Sequence, residues 1–201
     1  MVIAMKSAAP DAGTLAGLRL AVVDVETSGL STRRNRVLQV AVVTIDGEGT
    51  VLDRWSSLVR PRIPWAFRLG PTHIHGLDRA SLRIAPRERA VLADLADRLA
   101  GATFTAHNAR FDAAFLRRSA RRARIELPVA PYLCTLRLSR GLDPERALSH
   151  RLVDVCARYG VANERPHDAL QDALATAAVV PHLLRAHGIT TAAQLSEVVV
   201  S

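Results

Sequence analysis

Apolar positions recur along this chain with two periods. Leu18 to Val25 reads Leu-Arg-Leu-Ala-Val-Val-Asp-Val, a tight run rich in β-branched residues that ends at Thr27-Ser28-Gly29. Such a run predicts a buried strand followed by a turn. Arg36 to Ile45 and Thr50 to Val59 are two more strand-like runs, and Asp46-Gly47-Glu48-Gly49 between them carries the Asp-Gly signal of a hairpin. Three strands are therefore expected first, antiparallel to one another. Before them, residues 1–17 are small and glycine-containing and read as a flexible leader.

The second half switches to a helical period. Pro61 to Pro71 is expected as a loop and Thr72 to Leu82 as a short polar stretch. Val91, Leu92, Leu95 and Leu99 line one face of a helix from Pro86 to Leu99, closed by Gly101. Ala102 to Ala106 suits a short strand. Asn108 is placed to cap a helix running to about Arg124, with Phe111, Phe115 and Leu116 inward and Arg117, Arg118, Arg121, Arg122 and Arg124 outward. Val129 to Leu138 holds a fifth strand candidate. Leu148 to Tyr159 and Asp168 to His187 read as helices stopped by Gly160 and Gly188. Strands first, then strands alternating with helices, predict an α/β or α+β layered fold: a mixed sheet with helices on both faces.

Composition adds limits. The chain has 201 residues, 49% hydrophobic and 23% charged, enough for one domain with a real core. Only 4% is aromatic, so Ala, Val and Leu must build that core. No apolar run approaches a membrane span, and the first eleven residues do not form a secretory signal. Two cysteines, Cys134 and Cys156, match neither a disulfide framework nor a zinc pattern, so a cytoplasmic protein with reduced thiols is expected. The net charge is +8, carried almost wholly by arginine, with Lys6 the one lysine. A basic surface concentrates phosphate polymers; a GC-rich genome produces the same arginine bias.

The informative acids are those that interrupt apolar structure. Asp24 and Glu26 end the most hydrophobic strand, two apart and so on one face. Two like charges there are unfavourable unless a cation holds them. Hard oxygen ligands without cysteine or paired histidine suit Mg²⁺ or Mn²⁺. Solvated acids at an exposed strand end are the alternative. Asp112 sits in a first helical turn, where the helix dipole alone would explain it. Asp172 lies in the small-residue helix that opens after His167, which follows Pro166.

Taken in order, three segments carry a resemblance: Asp24-Val25-Glu26-Thr27, His107-Asn108-Ala109-Arg110-Phe111-Asp112, and His167 through Asp172-Ala173. Together they resemble the DEDDh (DnaQ-like) 3′–5′ exonucleases, from about Leu18 to His187. Thr72-His73-Ile74-His75-Gly76-Leu77 and Cys134-Thr135-Leu136 are similar to further family segments. The resemblance implies a ribonuclease H-like five-stranded mixed sheet, with an exonuclease domain over residues 18–188 and a short C-terminal tail over 189–201. It implies a phosphodiester hydrolase in which Asp24, Glu26, Asp112 and Asp172 hold two Mg²⁺ or Mn²⁺ ions and His167 is the general base. Thr27, Leu30, His107, Asn108 and Phe111 would bind the terminal nucleotide. The expected partner is a single-stranded DNA 3′ end, in proofreading or repair. RNA trimming by the same chemistry remains open, as does a non-cutting module that holds nucleic acid or a polymerase. Thirteen residues follow the last long helix, which leads to the expectation of a stand-alone enzyme or a different polymerase-docking mode. Gln194 to Val198 faintly resembles a sliding-clamp peptide; a short terminal helix is the preferred reading.

Overall fold

The three leading strands form where the apolar runs place them. β1 (Arg19–Thr27), β2 (Val37–Asp46) and β3 (Val51–Leu58) pair as an antiparallel meander. The β2–β3 turn is tied by the Asp46 carboxylate, which accepts the N–H groups of Glu48 and Thr50 at 2.9 and 2.8 Å. Gly49 completes the turn at φ 99°, and a Cβ there would stand 2.8 Å from the Pro181 ring. The computed structural model describes residues 13–61 and 68–200. The expected leader lies outside the described residues as far as residue 12, and Leu15–Gly17 forms a single 3-10 turn. The expected loop at 61–71 falls partly outside them as well.

Thr72–His75 (α1) and Arg79–Ile84 (α2) are short helices within the stretch read as merely polar. α3 (Glu88–Leu99) leads to β4 (Thr103–Ala106), then α4 (Ala109–Ala123) to β5 (Tyr132–Cys134). β4 lies parallel to β1 and β5 parallel to β4, giving the order β3-β2-β1-β4-β5. The expected mixed five-stranded sheet is thus present. Its faces separate by parity along β1. Ala21, Val23 and Val25 join a core with α3 and α4, including Leu95, Leu99, Phe104 and Phe115. Leu20 and Val22 join the opposite core with α7 (Ala169–Ala186). Helices therefore cover both faces, as the alternation predicts.

Three local readings need correction. Asn108 does not cap α4 with its side chain; it takes the left-handed conformation at φ 69°, and only its carbonyl engages the first turn. A helix α5 (Thr135–Gly141) follows β5 with no turn residue between them, so no punctuation announces it. The helix expected from Leu148 begins only at α6 (Leu152–Arg158). Asp143 causes this: its carboxylate takes the N–H groups of Ala147 and Leu148 and holds that segment in a tight turn. Pro181 sits inside α7, whose buried face carries Val179, Val180, Leu183 and Leu184. A terminal helix α8 (Ala192–Val198) exists, and a capping box between Thr191 and Gln194 starts it. Leu195 is buried in the α7 core, so Gln194 and Leu195 are both engaged by the fold.

Candidate active site

The site opens where β1 and β4 stop pairing. Their register runs from Leu20 opposite Thr103 to Val22 opposite Thr105, while β1 continues to Thr27. Crevices past the carboxyl ends of strands are where open α/β sheets bind ligands. Asp24 and Glu26 lie in this unpaired stretch, on the parity of Leu20 and Val22. Asp112 reaches in from α4: it is 3% exposed, and its Oδ1 accepts the Val25 N–H at 3.2 Å. The helix dipole favours an acid in that first turn. It does not require this one to be buried against a strand end.

α7 supplies the fourth carboxylate. Asp172 is 9% exposed, and both its oxygens are held. Oδ1 accepts Asn163 Nδ2 at 2.7 Å, and Oδ2 accepts the His167 N–H at 2.9 Å. Asp168 is the side-chain cap of α7, accepting from the Leu170 and Gln171 N–H groups. His167 stands just outside the helix in the left-handed region at φ 68°, with an exposed ring. A non-glycine residue there carries strain that the surrounding bonds must offset. Glu26, His167 and Asp172 each present a ligand atom, all within 4.8 Å of one another.

The electrostatics of the cluster are those of acids held close together. Burial raises the Asp24 carboxyl well above the usual range, and Asp112, Asp172, Glu26 and Asp168 raise it further. Burial raises Asp112 in the same way, against the hydrogen bond from Val25. Glu26 is pushed to about 8, by burial first and then by Asp172 and Asp168. Ion pairs among the described residues join Arg98 to Asp53, Arg122 to Glu88 and His150 to Asp143; none reaches these acids. Acids drawn together with no ion-paired cationic side chain among the described residues fit a divalent cation of the oxygen-preferring kind. The Cys156 thiol, raised to about 11 by burial and then by Asp172, stays protonated and inert.

The residues expected to hold a nucleotide are placed less uniformly. Leu30 is 85% exposed on the loop after β1. Thr27 is buried, and its hydroxyl donates to the Gly29 carbonyl at 2.9 Å. Asn108 is exposed at the start of α4. Phe111 is half-buried and packs on Phe115 at 4.9 Å between ring centres. His107 has both nitrogens engaged, Nδ1 with Thr135 Oγ1 at 2.9 Å and Nε2 with the His150 carbonyl at 3.0 Å. Burial lowers its basicity, so it braces β4 against α5 and the 142–151 segment as a neutral ring. His75 of the Thr-His-Ile-His-Gly segment is a similar pin, accepting the Leu77 N–H and donating to the Leu69 carbonyl. Gly70 beside it at φ 78° leaves no room for a Cβ, which would come within 2.4 Å of the Ser28 carbonyl.

Asn163 is the site residue that sequence reasoning misses. Its amide must donate to Asp172, because a carboxylate only accepts, and its Oδ1 is left buried without a partner. A loop asparagine five residues before Asp168 gives no signal until the fold sets it beside Asp172.

Comparisons with known proteins agree with this geometry. Residues 21–180 match the RNase_T exonuclease family. A PolC-type DNA polymerase III of Bacillus cereus is 31% identical over 82% of this chain, which spans 11% of that protein. A putative bifunctional exonuclease/endonuclease of Mycobacterium tuberculosis is 34% identical over 87% of this chain, which spans 28% of it. The chain therefore corresponds to a minor part of the curated relatives it matches. In fold it resembles exonuclease I of E. coli in complex with a dT13 oligonucleotide, with a TM-score of 0.72 and 20% identity over 85% of this chain and 42% of the other. The family match over residues 21–180, most of the chain, makes this protein a member of the DEDDh exonuclease family.

Proposed function

We propose that the chain is a 3′–5′ exonuclease that removes nucleotides from DNA 3′ ends in the cytoplasm, by phosphodiester hydrolysis with two divalent ions, Mg²⁺ or Mn²⁺. The observation that carries this is the convergence of Asp24, Glu26, Asp112 and Asp172, from three separate elements, with no arginine ion-paired to them among the described residues. These four would hold the ions, which would activate water and stabilise the charge gathering at the phosphorus. Asn163 and the His167 N–H fix both oxygens of Asp172. The exposed His167 ring takes the proton of the attacking water on an imidazole nitrogen. The water oxygen bonds to phosphorus and the bond to the 3′ oxygen breaks. That oxygen takes a proton from solvent to become the new 3′-hydroxyl, and a nucleoside 5′-monophosphate leaves the shortened strand. Thr27 and Asn108 would contact the last sugar, and the exposed Leu30 would cover a base.

DNA is favoured over RNA by the PolC-type DNA polymerase III relatives and by fold neighbours bound to deoxyoligonucleotides. The test is purified protein with Mg²⁺ or Mn²⁺ on 5′-end-labelled single-stranded DNA and RNA of equal sequence. Stepwise mononucleotide release from the DNA 3′ end is expected. Cuts in the middle of the strand would refute the exonuclease reading, and faster loss from RNA would reassign the substrate.

A further inference from the structure

A row of arginines begins beside the catalytic strand ends and leads away from them. Arg36 precedes β2, and its carbonyl accepts the Ser28 N–H at 2.9 Å, one residue past Thr27. Arg60 follows β3 and bridges in parallel to Arg87. Gln39 of β2 lies opposite both Glu26 and Leu58, so Arg36 and Arg60 leave the sheet at its catalytic end. α4 shares a core with Val25, Val37 and Val59 and carries Arg118 and Arg122 exposed on its outer side. Beyond them lies a cavity of about 560 Å³ lined by Arg60, Arg87, Arg89 and Arg122. Glu88 is its one carboxylate among the described residues, and Arg122 already holds it at 2.8 Å.

Several of these side chains are fixed rather than loose. Arg89 donates to the Ala123 carbonyl at 2.7 Å and Arg60 to that of Arg83 at 3.4 Å. Neither bond neutralises a charge. Burial first, then Arg122 and, more weakly, Arg118, holds the Arg36 guanidinium below its ordinary basicity, with Glu88 opposing them. These influences set Arg36 within electrostatic reach of the pocket. Ile84, next in sequence to Arg83, is 83% exposed beside them. Phosphates answer the arginines, and a base face answers the isoleucine; a small anion would use only the first. The row is also long. Asp112 to Arg122 spans about 15 Å of helix, the rise of about four stacked nucleotides.

Building on the proposed activity, we infer that Arg36, Arg118, Arg122 and the pocket of Arg60, Arg87 and Arg89 bind the phosphate backbone of a single nucleic-acid strand whose 3′ end lies among the carboxylates. The engaged length is the terminal nucleotide and about four more on its 5′ side.

The test measures binding by fluorescence anisotropy of 5′-labelled DNA of two to twelve nucleotides, with Ca²⁺ replacing the catalytic ion. Affinity should climb with length to about five nucleotides and then level off. The double variant Arg87→Gln/Arg89→Gln, with wild-type thermal melting, should bind the 12-mer at least about five-fold more weakly. Its slope of log affinity against log salt should flatten by about 1.4, for two lost phosphate contacts. Dinucleotide binding should not change. Affinity independent of length, an unaltered 12-mer slope, or an equal loss on the dinucleotide would each overturn the inference. Length-dependent binding by a protein that degrades no 3′ end would count against the catalytic proposal while supporting this surface.

Discussion

Removing divalent ions should make the fold lose stability as pH rises, with Glu26 setting a measurable share of the loss. Its carboxyl moves from an ordinary 4.5 to about 8 in the folded chain. Between those values the metal-free fold holds a proton that the unfolded chain has released. The proton-rich state gains as pH falls, so this contribution is fully present below about 4.5 and is lost as pH climbs through about 8. The whole span corresponds to roughly 5 kcal/mol. Glu26 is only half-buried and partly screened by water, so about 2 kcal/mol is the expected size. In a chain of this length that is about 4–8 °C in Tm.

Glu26→Gln isolates the effect, because the amide does not titrate and other pH-dependent groups are shared. Thermal melts of EDTA-treated wild type and variant should nearly coincide at pH 5. At pH 8 the wild type should melt lower by about 4–8 °C. Adding Mn²⁺ at pH 8 should reverse the order, since the ionised carboxylate then has a cation to meet and the amide does not. A gap that stays constant from pH 5 to 8, or a wild-type melt at pH 8 that Mn²⁺ does not move, would refute the reasoning.

Three other outcomes follow from the same geometry. Asp24→Asn should cut DNA hydrolysis by more than about a hundred-fold, beyond the loss usual for an outer partner of a metal ligand. It should also raise the metal-free Tm at pH 8, because the amide removes a carboxyl whose charge is opposed first by burial and then by Asp112 and Asp172. Asn163→Ala should lower kcat about 10–100-fold with little change in KM, as steady-state kinetics on a labelled oligonucleotide would show. Leu30→Ala should leave urea stability within about 0.5 kcal/mol, since the side chain is exposed. Its oligonucleotide affinity should nevertheless fall by about 1 kcal/mol, roughly five-fold, if the leucine covers a base.

The parts of this molecule legible in its sequence are those where local preference and tertiary demand agree. The β1 run, the Asp46-Gly47 hairpin and the period of Val91, Leu92, Leu95 and Leu99 each specify their element without help from elsewhere. The acids are legible for a different reason. Asp24 at the end of an apolar strand and Asp112 between two phenylalanines each have a local explanation, a solvated strand end and a helix dipole. Only their order along the chain with Glu26, His167 and Asp172 points to a shared demand. What stays hidden is whatever neither specifies its own element nor falls in that order. Asn163 is an ordinary loop residue until the fold brings it to Asp172, and α5 follows β5 without punctuation.

Asn108 and His167 belong to a third class, because their residue types suggest a different arrangement from the one the chain adopts. Asn108 invites reading as a helix cap and His167 as an ordinary residue before a helix, and each instead holds a positive φ just ahead of a helix that carries a proposed metal ligand. Only two other non-glycine residues among the described ones do so, Arg124 and Arg146. Strain of this kind costs of order 1–3 kcal/mol per residue, and at His167 it is opposed by the bond from its N–H to Asp172. The backbone of the proposed base and the carboxylate of a proposed metal ligand are thus one unit. An ion that draws on Asp172 also acts on the bond that keeps His167 outside its helix. The catalytic geometry is therefore a property of the assembled cluster, which is why no single motif displays it.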